Sequence, residues 1–402
     1  MISVPEALEI LRNNIPAPRA SHIPLSAAFG YRLSQDILAP EPSPRYTSSA
    51  MDGFAVQWQD MHILEPEKPV CLEIVGESQA GIPFPTTLKT GEAIRISTGA
   101  VIPEGADTVI RVEDTFEEAT KIYVKKCKSQ GQDIRNKGEE FQKGTKLFDR
   151  TQMLKTREIA LLSAVGLHHV PVYAAPKVSL FITGTELATA EDQNIKDHQV
   201  RDSNAPMLRN TVIESGGEIV DCIHVQDNLD LTITSMKQAL TKDCDIILCS
   251  GGVSVGRHDH VKDAAEALGF ERLFWKIRQK PGKPLFVAKK GRTLLFGLPG
   301  NPVSAFMCFQ NFVLPTLAAL QGVEFLNKKL SASAEIPIEN KGKRTDFIRV
   351  TVNNTPNTVP TFKPIAEQGS HMLTSIVKAD GYIAMEPGAN TAVGDLVEVL
   401  LF

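Results

Sequence analysis

Apolar residues recur along this chain in two rhythms, and the rhythm changes near residue 176. Beyond that point, nearly continuous apolar runs alternate with stretches whose apolar residues return every three or four positions. KVSLFITG, EIVDCIHV, DIILCSGG and TLLFGLPG read as strands. DIILCSGG is apolar almost throughout, as expected of a sheet covered on both faces. Between the strands, NAPMLRNTVIESGG puts Leu208 and Val212 on one helical face. LTITSMKQAL does the same with Ile233, Met236 and Leu240, and VKDAAEALG with Val261, Ala264, Ala265 and Leu268. NPVSAFMCFQNFVLPTLAAL then reads as a helix after the last strand. Strands alternating with helices predict a parallel, doubly wound α/β sheet.

The flanking regions follow the shorter rhythm. VCLEIVG, EAIRISTG, DTVIRVED and KIYVKK are short β runs between Gly/Pro turns, which predicts a mostly-β unit over 46–145. SASAEIPI, DFIRVTV, TVPTF, GYIAMEP and LVEVLLF predict a small β-barrel or sandwich over 327–402. MISVPEALEILRNNIP reads as a short amphipathic helix, and APEPSPRYTSSAMDGFAV as an extended connector rich in Pro and Ser. TREIALLSAVGL reads as a helix closed by a glycine. The expected division is therefore 1–45 with 146–175, then 46–145, 176–326 and 327–402. A chain of 402 residues exceeds one ordinary core.

Composition narrows the partners. The net charge is −4 and aromatics are 6%, so neither a basic field nor a base-stacking surface points to nucleic acid. The N-terminus lacks a basic stretch followed by an apolar core, and no uninterrupted apolar run of about 18 residues occurs. No membrane span and a cytoplasmic location are expected. The six cysteines form no CxxC pair, which favours reduced, buried thiols over a zinc site.

The candidate chemistry gathers at one sheet edge. ITGTE, CSGGVS and LPGNP all fall at carboxyl ends of strands, where doubly wound sheets bind ligands. In SGGVSVGRHD, Gly251, Gly252 and Gly256 allow close approach of backbone N–H groups to an anion. The loop matches neither a dinucleotide fingerprint nor a P-loop. FWKIRQKPGKP, read as a strand, puts Lys276, Arg278 and Lys280 on one face with Lys283 beyond the turn. That face is either a charged edge that resists aggregation or a basic ridge for a polyanion. Glu186, Asp227 and Asp259 end the loops of the same edge, a set that suits Mg2+ with phosphates. Asp259 equally suits a helix N-cap, and Asn301 with Pro302 suits a helix start. The nine histidines are scattered, and no Ser/His/Asp spacing occurs.

SSAMDGFAV, RISTGAVIPEGADTVIRVE, IRNKGEEFQKG, ITGTEL, RDSNAPML, SGGVSVGRHD, KPGKP and GLPGNPVSA occur in the order found in the molybdopterin molybdenumtransferase family, which includes the E domain of gephyrin. The chain resembles that family from about residue 5 to its end. The resemblance implies an elongated homodimer of four subdomains per chain, the third similar to molybdopterin adenylyltransferase. It implies insertion of molybdenum from molybdate into adenylylated molybdopterin, with Mg2+ as cofactor and release of AMP. A transient contact with a molybdopterin adenylyltransferase is a possible partnership under the same resemblance. Asp52 and Thr98 match active-site residues, expected to face the third subdomain of a partner subunit. Glu186, Asp227 and Asp259 match the active-site carboxylates. Lys276, Lys280 and Lys283 match basic residues, and Ser254, Pro299, Pro302 and Ser304 lie in ligand loops. Arg349 and Ser370 match residues near molybdate, which fits an oxyanion's need for a guanidinium and a hydroxyl. Two positions depart from the pattern: Thr185 and Glu140 stand where the family usually has Asp. The alternatives are an adenylyltransferase, which would need ATP, and a non-catalytic scaffold.

Overall fold

The computed structural model describes residues 1–65, 68–253 and 260–402. It divides into two compact units, one of Met1–Ile23, Gly30–Ser34 and Pro171–Phe402, the other of Pro24–Phe29 and Gln35–Val170.

The larger unit holds a six-stranded sheet in the order Glu218–Val225, Lys177–Thr183, Ile246–Ser250, Thr293–Leu298, Phe286–Lys290, Glu271–Trp275. The first four strands run parallel. The sheet is mixed rather than wholly parallel: Phe286–Lys290 runs antiparallel to both of its neighbours. The cause is local. Gly291 and Arg292 alone separate that strand from Thr293–Leu298, and so short a link can only turn the chain back as a hairpin.

Helices cover both faces. Leu208 and Val212 of Asn204–Glu214 pack on one side of the sheet with Phe309, Phe312 and Leu317. Met236 of Leu229–Thr241 and Val261, Ala264 and Ala265 of His260–Ala267 pack on the other. The N-terminal helix Val4–Arg12 joins this unit, with Ala7 and Leu11 in the first of these cores. Ser3 and Glu6 cap it reciprocally. The division in space thus does not follow the sequence division that sets 1–45 apart. The run 302–320 is long and apolar enough to cross a membrane, with mean hydropathy 1.5. In the fold it is a core helix, and its Val303, Met307, Phe309, Phe312 and Leu317 are fully buried. A π turn at Phe309–Val313 precedes Pro315, which has no N–H to continue the helical ladder.

The same unit ends in a closed five-stranded barrel: Thr345–Asn353, Thr361–Pro364, Lys329–Ala334, Leu396–Leu401 and Gly381–Met385, with the last strand pairing back to the first. Closure leaves no free edge among these strands. Ala332, Val350, Phe362, Ile383 and Val399 fill it.

The smaller unit is built on a second six-stranded sheet, in the order Thr108–Arg111, Gly53–Val56, Glu92–Ile96, Val70–Ser78, Lys121–Val124, Thr115–Glu118. Gly53–Val56 corrects the expected connector. It is an inner strand, and all four of its residues are buried. Phe54 and Val56 enter one core and Ala55 another, so both faces of the sheet are covered there. Thr156–Ala164 forms the expected helix, with Gly166 just past its end at a φ of 79°.

Candidate active site

Four parallel strands end at one edge and each delivers a loop. Gly184–Glu186 follows Thr183, and Asp227 lies just beyond Val225. Gly251–Val253 follows Ser250, and Pro299–Asn301 follows Leu298. They enclose a cleft of about 740 Å3, lined among others by Thr183, Glu186, Asp202, Asn204, Asp227, Gly251, Gly252, Pro299 and Pro302. Of the carboxylates expected at this edge, Glu186 and Asp227 are therefore brought together.

Hydrogen bonds fix the loops to one another. Gly251 N–H donates to the Leu298 carbonyl at 3.0 Å. Gly251 has a φ of 91°, and a Cβ there would sit 2.7 Å from the Thr183 carbonyl oxygen, so glycine is required twice over. Asp227 Oδ2 accepts the Thr185 N–H at 3.1 Å and lies 3.5 Å from its hydroxyl. In this chain the Thr185 hydroxyl thus adds a side-chain donor to the backbone N–H, which an ionised aspartate at 185 would not.

Asp202, Asn204 and His371 line the cleft and escaped the physical reading of the sequence. Asn204 Nδ2 donates to Ser250 Oγ at 2.8 Å and to the Gly300 carbonyl at 2.7 Å, so one amide ties two of the ligand loops together. Asp202 Oδ1 accepts the N–H groups of Asn204 and Ala205, while its Oδ2 meets His224 Nε2 at 2.8 Å. His371 lines the cleft from the barrel side. Asp202 had a local signal, an Asp just ahead of a helical pattern. Asn204 and His371 had none.

The basic ridge takes another form than alternation along a strand. The strand stops at Trp275, and Lys276 has a left-handed φ of 64°. Lys276 Nζ lies over the Trp275 ring, Arg278 pairs with Glu6 at 3.7 Å, and Lys280 pairs with Asp346 at 2.8 Å. Gln279–Lys280 is instead a short strand added to the barrel at Thr345–Asp346. Lys283 is exposed. Asn301 occupies the N-cap position before Pro302, but its side chain makes no capping bond and donates to Ser370 Oγ at 3.2 Å. Ser304 is buried within the helix, away from the cleft lining. Arg349 is fully buried in the barrel, which pulls its guanidinium below its ordinary pKa. It donates to the Glu367 carbonyl at 3.4 Å, and its Nε has no hydrogen-bond partner among the described residues. Ser254, Gly256 and Asp259 lie outside the described residues.

Asp52 and Thr98 meet within the smaller unit. Asp52 Oδ1 accepts both the N–H of Thr98 at 2.7 Å and its hydroxyl at 3.0 Å. The backbone bond, helped by the hydroxyl, holds this carboxyl below the usual aspartate range. Glu140 accepts the Ser43 hydroxyl at 2.6 Å.

Among the described residues, no three His, Cys, Asp or Glu side chains gather as a metal cage. Mg2+ does not need one. It binds through one or two carboxylates and completes its shell with water and substrate phosphates. Glu186 and Asp227 on one cleft fit that donor set.

Three family models match successive stretches of the chain. Residues 2–166 match the MoeA N-terminal region (domain I and II), 179–319 the probable molybdopterin binding domain, and 331–402 the MoeA C-terminal region (domain IV). The chain is 31% identical to the molybdopterin molybdenumtransferase of Haemophilus influenzae, over 99% of this chain and 98% of that one. It is 30% identical to that of Staphylococcus epidermidis, over 100% and 95%. Among solved structures it resembles the molybdopterin biosynthesis MoeA protein from Pyrococcus horikosii, with a TM-score of 0.84 and 29% identity. That match covers 100% of this chain and 99% of the other.

Proposed function

We propose a reaction from one premise: this chain belongs to the molybdopterin molybdenumtransferase family, and is a transferase of molybdenum cofactor biosynthesis. The proposed reaction takes adenylylated molybdopterin and molybdate, inserts molybdenum, and releases AMP. The observation that carries it is the convergence of Glu186, Asp227 and the Gly251–Gly252 turn on one cleft at the strand ends. A phosphoanhydride needs close backbone N–H groups and carboxylates able to hold a divalent ion.

Glu186 and Asp227, with Asp259 as the third expected ligand, would hold Mg2+, which when bound neutralises charge on the phosphates. The chain's own groups do the rest. The Gly251–Gly252 turn receives phosphate oxygens, and Lys276 and Lys283 add positive charge near it, with Lys280 exchanging Asp346 for substrate. Asn204 keeps the Ser250 and Gly300 loops at a fixed spacing, so the anhydride is oriented rather than attacked by a protein nucleophile. Molybdate is assigned to Ser370 and Arg349. A hydroxyl and a guanidinium are the donors that an oxyanion takes. The same reading carries a homodimer, in which the Asp52–Thr98 pair serves the partner subunit's cleft. It also carries a cytoplasmic location and a transient encounter with the adenylyltransferase that supplies the substrate.

Glu186→Gln tests the assignment. The variant should lose AMP release by at least about a hundredfold, as expected when a positioned charge is removed, and should unfold at the parent's temperature. Turnover near the parent rate would remove Glu186 from the reaction.

A further inference from the structure

Asn204 is 7% exposed and lines the cleft, as do Ser250 and Gly300, the two residues its side chain binds. Chemistry fixes which way its amide faces. The Gly300 carbonyl, 2.7 Å from Nδ2, can only accept, so the nitrogen must face it. Reversing the amide would set two oxygens against each other. Nδ2 also donates to Ser250 Oγ at 2.8 Å, which occupies its second N–H. Oδ1 is left buried, with no hydrogen-bond partner among the described residues.

A buried acceptor that has given up water without gaining a donor is destabilising, and native structures pair nearly all such groups. Donors on the neighbouring elements are already committed. The N–H groups of Asn204 and Ala205 go to Asp202 Oδ1 at 2.8 and 3.1 Å. Gly251 N–H goes to the Leu298 carbonyl. The two sides of this wall therefore suit opposite partners. The glycine turn that follows Ser250 suits phosphate oxygens. An amide oxygen repels a phosphate and takes a neutral O–H or N–H. A nucleotide carries both kinds of group, its sugar hydroxyls only a few bonds from its phosphate.

We propose that Asn204 Oδ1 accepts a hydrogen bond from a hydroxyl or amino group on the nucleotide half of the substrate. Asn204 is then a substrate-binding residue as well as the tie between two loops. The proposal rests on the reading of this cleft as the adenylylated-substrate site.

The full-length protein is titrated by calorimetry in Mg2+ buffer with AMP. The same titration is made with 2′-deoxy-AMP, with 3′-deoxy-AMP, and with purine riboside 5′-monophosphate, which lacks the amino group. One of these analogues should bind about tenfold more weakly than AMP, the loss of one hydrogen bond to an acceptor without another partner. Which one it is identifies the donor as sugar hydroxyl or base amino group. Asn204→Ala should weaken AMP and erase that preference, so that AMP and the analogue bind alike. Asn204→Asp keeps an acceptor oxygen and loses the amide donor, so it should weaken both ligands and keep the preference. If Asn204→Ala weakens AMP and the analogue by the same factor, Asn204 only holds the wall together, and the proposal is overturned. Equal binding of AMP and all the analogues by the parent protein also overturns it, and that test needs no variant to fold. Both results leave the reaction standing. No AMP binding by the parent overturns the reading of the cleft and this proposal with it.

Discussion

At the scale of single residues, charge is held in place by donors rather than by burial alone. Arg111 forks onto Asp133 with two bonds of 2.8 Å, and these hold the Asp133 carboxyl below the ordinary aspartate value of 3.8. A carboxylate whose folded pKa is depressed contributes stability above its unfolded pKa and loses it as pH falls through the folded value. Asp133→Asn should therefore flatten the fall in denaturation midpoint below about pH 4, measured in denaturant at a series of pH values. An unchanged slope would mean the pair contributes nothing to acid stability. The site residues divide by the same kind of detail. Glu186 and Asp227 were legible because strand ends in an α/β sheet collect ligands whatever the side chains. The geometry of Lys276 was not, because a left-handed φ at a lysine leaves no mark in the pattern of apolar and polar positions. One such residue ends the strand and sends Lys276 and Lys280 to different surroundings.

At the scale of elements, the glycine turn depends on the interior of a neighbouring strand as well as on its own loop. Gly297 lies inside Thr293–Leu298, and a Cβ there would sit 2.3 Å from Val253 Cγ1. Gly297→Ala should cost about 1–3 kcal/mol in stability, the range for overfilling a packed interior. It should also weaken AMP by displacing Val253, seen as a lower melting midpoint together with a raised Kd. A midpoint loss with AMP affinity intact would show that Val253 moves without carrying the turn. The parallel strands and their helices were readable because burial on both faces writes long apolar runs. Gly53–Val56 was not. It is too short for a period, and it follows a segment rich in Pro and Ser that reads as a connector. The antiparallel hairpin at Phe286–Lys290 was missed because Lys289 and Lys290 mask its apolar half.

At the scale of the whole molecule, the chain supports two units with separate hydrophobic cores. The C-terminal barrel was anticipated as a barrel or sandwich, and pairing of its first and last strands decides between them. Membership of the first helix in the α/β unit was not legible, because an amphipathic stripe shows that a helix is covered without saying by what. The catalytic role assigned to this molecule stands on one coupled event, the release of AMP in step with the use of molybdate. The most direct measurement is AMP release from adenylylated molybdopterin with Mg2+, with and without molybdate. The account predicts release that requires molybdate and disappears in Glu186→Gln. Release at the same rate without molybdate, or formation of the adenylylated compound from ATP and free molybdopterin, would contradict it.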